Sequence, residues 1–275
     1  MSPEVGELDE AAVRDAMAED ADATLATLIA MSHATDEGLR AAVRRIVPRL
    51  VLDQARRGTP AARGVTKRRV VPIDRGDDLD LDRSLDAIVA ARAEARAPNA
   101  DELRAVAWAR PQIALCLLID ASGSMNGARL ATAATTAAAC LVRARGEIGV
   151  VAFASRPTVL QALTTTPAGS SLVESVLRLR GHGTTALSAA LEAARRQLAK
   201  ATAARRVTVL LSDCRETDDV DPAPAMRALD EVIVLAPAED PDAAAALCRS
   251  TGAAMAPIAS IADVAPAITR LLARG

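Results

Sequence analysis

Two almost wholly apolar runs, each closed by an aspartate, constrain this chain more than any other feature. Ile113-Ala-Leu-Cys-Leu-Leu-Ile119 leads into Asp120, and Val207-Thr-Val-Leu-Leu leads through Ser212 into Asp213. Runs of that length without polar alternation suit strands buried on both faces, the condition of a parallel sheet. Ile148–Phe153 and Val232–Leu235 read the same way, Ala253–Ile258 reads as a further strand, and Thr158–Ala162 as a short edge strand. Helices fit Ala128–Arg143, Ser171–Leu179, Ala186–Lys200, Pro241–Arg249 and Ile261–Ala273. The alternation of strand and helix predicts an α/β fold: a doubly wound, mostly parallel sheet flanked by helices, preceded by a smaller helical region. In such sheets ligands sit beyond the carboxyl ends of the strands. Both aspartates fall there.

The chain before residue 111 has another character. Residues 1–37 carry ten acidic residues against Arg14, and residues 38–75 carry ten Arg and Lys67 against Asp53 and Asp74. Such blocks can attract each other or meet separate partners. Apolar positions at Leu25, Leu28 and Ile29, then at Leu39, Val43, Ile46, Val47, Leu50 and Val51, predict two amphipathic helices, with Pro48 kinking the second. Gly58-Thr59-Pro60 ends this part, and Val70–Ile73 reads as an edge strand. A third helical pattern follows at Leu81, Leu85, Ile88 and Val89 and, after Pro98, at Leu103 and Val106. The expected division is an N-terminal helical region (1–58), a basic linker and helical lead-in (59–110), and an α/β domain (111–275).

Composition removes several function classes. Of 275 residues, 51% are hydrophobic and 25% charged with a net charge of −2, which argues against wholesale disorder. Phe153 and Trp108 are the only aromatics, so nucleic-acid binding by base stacking is not expected. The basic cluster Lys67-Arg68-Arg69 is read instead as meeting an acidic protein surface. No charge-free stretch is apolar enough to span a bilayer, and the acidic N-terminus is unlike a secretory signal. Cys116, Cys140, Cys214 and Cys248 lack metal or disulfide spacing and read as buried thiols in a reducing compartment, giving a cytoplasmic expectation. There is no P-loop and no nucleophile elbow around Ser122 or Ser124. Asp78-x-Asp80-x-Asp82 lacks the Gly and Glu of a calcium loop and reads as a solvated face.

The chemistry concentrates after the two long strands. Asp120-Ala-Ser122-Gly-Ser124 places short hydroxyls two and four residues beyond an acid, an oxygen set suited to a hard cation such as Mg²⁺. Gly181-His-Gly183-Thr184-Thr185-Ala186-Leu187 precedes a helix and can bring in a third loop. Taken singly these are ordinary: a strand-ending Asp serves as a turn residue, and Thr185 serves as a helix cap. Taken in order they resemble a family. Ile119–Met125, Gly183–Leu187 and Leu210–Asp213 resemble the three segments of the metal-ion-dependent adhesion site (MIDAS) of von Willebrand factor type A (VWA) domains, over Pro111–Gly275.

The resemblance implies that Ser122, Ser124 and Thr185 hold Mg²⁺ (Mn²⁺ or Ca²⁺ in its place), with Asp120 and Asp213 acting directly or through water. Thr185 is preferred to Thr184 because the family spacing Thr-x-Leu-x-x-x-Leu fits Thr185, Leu187 and Leu191. Gly commonly follows the third-segment Asp in the family, and Cys214 stands there, with a tighter loop expected. Within the family the chain resembles CoxE-like proteins and the VWA subunit of magnesium chelatases, whose lead-in is similar to Asp78–Ala87 and Asp101–Arg104. That likeness implies a non-catalytic interaction module whose partner, a MoxR-like or chelatase-like AAA+ ATPase or its substrate, offers an Asp or Glu to the metal. The enzymatic alternative is a phosphotransferase with Asp120 as nucleophile. It would want a second acid where Ser122 stands and a Lys in the cleft.

Overall fold

The computed structural model describes residues 9–31, 37–57, 67–75, 78–109, 113–123, 127–144, 147–165, 169–181 and 183–273. Two compact units form, one from Met1–Ala61 with Gln112–Gly275 and one from Ala62–Pro111. The chain starts with helices α1 (Glu10–Glu19), α2 (Ala21–Met31) and α3 (Glu37–Arg57). The second unit holds β1 (Lys67–Pro72), β2 (Asp78–Leu79), α4 (Leu81–Ala93) and β3 (Arg104–Ala109). The first unit then continues with β4 (Ile113–Asp120), α5 (Gly127–Ala144), β5 (Ile148–Phe153), β6 (Pro157–Gln161), α6 (Gly169–Leu177) and α7 (Leu187–Leu198). It closes with β7 (Arg205–Leu211), α8 (Ala223–Arg227), β8 (Val232–Pro237), α9 (Asp242–Thr251), β9 (Ala254–Ile258) and α10 (Ile261–Leu272).

The first unit is built on a six-stranded sheet of order β6-β5-β4-β7-β8-β9, parallel except for β6, which runs antiparallel to β5 at the edge. The α/β class predicted from the apolar runs is the one observed. The lack of alternation in β4 has a direct cause. Leu115, Leu117 and Ile119 enter one core with α5, α6 and α10, while Ala114, Cys116 and Leu118 enter the other with α7, α8 and α9. Both faces of the strand are interior. The strand order reverses between β4 and β7, so the loops leaving these two neighbours diverge and open a crevice at their carboxyl ends.

Helix α5 is apolar on almost every side, with Ala131, Ala133, Ala134, Ala137, Ala138 and Ala139 all buried. A helix of that kind must be covered on both sides. The sheet covers one, and α2 and α3 pack on the other, placing Leu25, Leu28, Ile29, Val43, Val47 and Val51 in the same core. The N-terminal acidic block also has a structural use, since Asp22 Oδ1 accepts the Ile261 N–H at 2.6 Å and ties α2 to the start of α10.

Two local expectations change, while helix α3 holds Pro48 within it as the sequence reading has it. A helix not foreseen, α1, precedes α2 and is capped by Asp9, whose side chain accepts from Ala11 and Ala12 N–H. Val106, expected on a helix after Pro98, lies instead in β3, paired with Val70 and Asp78. Pro98 removes an amide donor, Leu103 closes a short 3₁₀ turn over Ala100–Glu102, and strand pairing begins at Arg104, so Val106 owes its place to the strand.

The second unit is a three-stranded antiparallel sheet of order β1-β3-β2 carrying α4. Asp80 caps α4 by accepting the Arg83 N–H at 3.3 Å. Ser84, fully buried, accepts the Arg104 N–H at 2.9 Å and donates to the Arg104 carbonyl at 3.2 Å, fastening the helix to β3.

Candidate metal centre

The register of the two central strands places the first loop against the third. Ile119 pairs with Leu211 and Asp120 pairs with Phe153, so Asp120 and Ser212 leave the sheet side by side. Ser212 donates its hydroxyl to Asp120 Oδ2 at 2.6 Å. Asp120 Oδ1 accepts twice from Ser122, from the N–H at 2.9 Å and from Oγ at 2.6 Å. The loop is pinned on its other side by the Ala121 N–H on the Phe153 carbonyl at 2.7 Å. Gly123 follows at φ +64, a conformation that an L side chain adopts only at a cost and that lets the chain turn back immediately after Ser122.

Beyond β7, Ser212 Oγ also accepts the Cys214 N–H, and Asp213 Oδ1 accepts the Arg215 N–H, both at 2.9 Å. Cys214 sits at φ +59 where the family resemblance expects Gly. The loop keeps the left-handed turn although the residue has a side chain, and that side chain is buried. Arg215 pairs outward with Asp240 at 2.6 Å.

The second loop approaches from the end of β5. The Ala186 N–H donates to the Ala154 carbonyl at 2.8 Å, and Gly183 takes φ +77. Thr185 is buried, and its N–H donates to Thr217 Oγ1 at 2.6 Å, while the Thr217 N–H returns to the Thr185 carbonyl at 3.4 Å. Ala186, not Thr185, occupies the N-cap of α7, so Thr185 is free of the capping role that its position suggested. Thr217 thus links the second loop to the third.

Asp120, Ser122, Ser212 and Asp213 line one cleft of about 540 Å³, with Asp20 at the end of α1, Asp22 of α2, Arg129 of α5 and Glu239 also in its wall. Thr185 does not line this cleft, and Ser124 lies outside the described residues. His182, a neighbour of the second loop, lies outside them too. Sequence reading missed Ser212, Thr217 and the α2 wall as parts of the site. Ser212 could have been found from its place just before Asp213, but Thr217 and α2 carry no local signal.

The donor chemistry is hard. Among the described residues no group of three or more His, Cys, Asp or Glu is placed to hold a metal ion, and the cleft offers the hydroxyls of Ser122 and Ser212 beside the carboxylates of Asp120 and Asp213 and, across it, of Asp20, Asp22 and Glu239. All four cysteines are free and buried. Burial pushes the Cys116 thiol up to about 12 and the Cys248 thiol up to about 11, and it also raises Cys140 and Cys214. Carboxylate and hydroxyl oxygens without nitrogen or sulfur are the set that Mg²⁺ and similar cations take.

With this geometry in view, comparison with known proteins is decisive for family. The model described as "VWA domain containing CoxE-like protein" matches residues 50–267. The chain belongs to that family. By fold it is similar to BatB from Bacteroides thetaiotaomicron, at 14% identity and a TM-score of 0.51, over 59% of this chain and 98% of that one. It is also similar to a von Willebrand factor type A protein from Catenulispora acidiphila, at 20% identity and a TM-score of 0.47, over 62% of this chain and 43% of that one. A third similar structure is mussel byssus proximal thread matrix protein 1 with a zinc-occupied MIDAS motif, at 15% identity and a TM-score of 0.48, over 59% and 46% of the two chains. The matched region is less than half the length of the latter two proteins. Curated proteins provide no match. Among the described residues of this VWA protein no helix is long and apolar enough to cross a membrane.

Proposed function

We propose that this VWA protein is a Mg²⁺-dependent protein–protein interaction module that works in the cytoplasm beside a MoxR-like or chelatase-like AAA+ ATPase. The observation that carries the reading is the convergence of Asp120, Ser122 and Asp213 on one cleft at the switch point of the sheet. Ser122, Ser124 and Thr185 are the residues that would hold the ion, with Asp120 and Asp213 direct or through water. When bound, the ion supplies a coordination position open to an Asp or Glu of a partner, a charge-assisted contact stronger than a surface ion pair.

The chain's own groups prepare that contact. Ser122 and Ser212 point their hydroxyl hydrogens at Asp120, which orients the carboxylate and leaves the lone pairs of Ser122 Oγ facing away from it. Thr217 positions the Thr185 loop through its backbone. Arg129 and Glu239 at the border give the cleft both signs of charge for selecting a partner's flanking residues.

The phosphotransferase alternative wants a second acid two residues beyond Asp120 and a Lys in the cleft. Ser122 stands at the first position and the bordering cation is Arg129, so no observation favours it. The test is a calorimetric MgCl₂ titration of the full chain together with capture of the partner ATPase with and without EDTA. Ser212→Ala, which removes a support of Asp120 and the acceptor of the Cys214 N–H, is expected to weaken Mg²⁺ by about 10–100-fold, and Asp120→Ala by more. Capture that is indifferent to EDTA and to Asp120→Ala would overturn the reading.

A further inference from the structure

Helix α4 of the second unit has its apolar pattern reversed. The side chains it buries are small, Ser84 and Ala91, whereas Leu81, Leu85 and Val89 stand 62%, 55% and 58% exposed. These three recur at i, i+4 and i+8 and form one stripe about 12 Å long on a single face. Leu79, 40% exposed, extends it at the N-terminal end. Only two other large apolar residues among those described are exposed, Val159 and Val220, and they are isolated, so the stripe is no general habit of this surface. A helix serving only its own sheet would place Leu inward and Ala outward.

The edge of the stripe is acidic. Asp82 and Asp86 follow Leu81 and Leu85 by one residue each and line its border, and neither has an ion pair among the described residues. We propose that this face of α4 is a docking surface for a basic amphipathic helix of a partner protein. Apolar side chains of that helix would pack along Leu81, Leu85 and Val89, while Lys or Arg on its flank would meet Asp82 and Asp86. A second copy of this chain fits less well. Antiparallel pairing about Leu85 brings the Asp86 side chains of both copies to the same edge, and three side chains bury far less than a stable dimer needs. The metal takes no part in this contact, so it stands or falls apart from the proposed function.

Two synthetic helical peptides test it, one of Leu and Lys with Leu at every third and fourth position, the other with Glu for Lys. Each is titrated into the full-length protein and followed by fluorescence anisotropy. The Lys peptide is expected to bind at least tenfold tighter than its Glu twin, with EDTA making no difference. Leu85→Ser/Val89→Ser, which alters no charge, should weaken it at least tenfold. Asp82→Asn/Asp86→Asn should weaken it severalfold and flatten its salt dependence, and circular dichroism confirms that each variant folds. Equal binding of the two peptides, or binding indifferent to Leu85→Ser/Val89→Ser, would overturn the proposal. So would a dimer in sedimentation that Leu85→Ser dissolves, or a Leu85→Cys thiol that the free protein shields from maleimide, since the face would then be covered by a second copy or by the chain itself.

Discussion

In the six-stranded unit every side chain of β4 from Ala114 to Ile119 is buried, and the polar groups are held back until the strand ends at Asp120. In the three-stranded unit the order is inverted, with Ser84 and Ala91 facing in and Leu81, Leu85 and Val89 facing out. The two arrangements divide the labour of apolar residues. In the first they create a rigid floor on which the loops after β4 and β7 can hold a preorganised oxygen set. In the second they are withheld from the unit's own interior and remain available to something else. Apolar content therefore reports stability in one unit and recognition in the other, and mutation separates the two meanings.

The largest effect is expected at Leu117, fully buried in the middle of β4 between α5 and the sheet. Leu117→Ala should destabilise the protein by about 2–5 kcal/mol in urea unfolding, the transfer of the lost methyl groups plus the cavity left behind. A loss below about 1 kcal/mol would mean that the β4 core is loosely packed, and the contrast between the units would fail.

A smaller effect separates proton chemistry from packing in the loop after β7. Oε1 of Glu216 and Oδ1 of Asp218 are shielded from solvent, and neither receives a donor from elsewhere among the described residues. Burial foremost, then the hydrogen bond to Asp218 and the charges of Asp218 and Asp221, push the Glu216 carboxyl up to about 7. An acid whose folded pKa exceeds its unfolded value of 4.5 contributes stability at low pH that is lost as pH rises through about 7. Urea midpoints should therefore fall between pH 6 and pH 8, and Glu216→Gln should reduce that fall. An identical pH slope in the variant would show that the carboxyl pair is solvated.

Much of the first unit was legible because its strongest signals are local. Buried strands of a parallel sheet carry no alternation, so β4 and β7 announced themselves, and the acids at their ends marked the rim. What was not legible depends on register or on distant packing. The bond from Ser212 to Asp120 exists because Ile119 pairs with Leu211, a fact no spacing encodes. Thr217 reaches the Thr185 loop across 32 residues of sequence. The packing of α2 and α3 onto α5 carries no local signal, because the surface that receives them is a run of alanines. At Cys214 the family pattern told more than the residue did, because the loop holds the left-handed conformation of the usual Gly while bearing a thiol. In the second unit Leu103 and Val106 mimicked helical spacing although Leu103 ends a short 3₁₀ turn and strand pairing begins at Arg104.

The smallest effect sharpens the comparison most. Leu85→Ala removes the same atoms as Leu117→Ala, yet Leu85 is 55% exposed and leaves no cavity behind. Its ordinary cost would be lost apolar contact, but here little contact exists to lose, and Ala is the better helix former. The unfolding free energy should stay within about 0.5 kcal/mol of the parent. If Leu85→Ala instead destabilised the chain by more than about 2 kcal/mol, Leu85 would belong to a core. The exposed stripe of α4 would then be packing surface, and the two units would use their apolar residues alike.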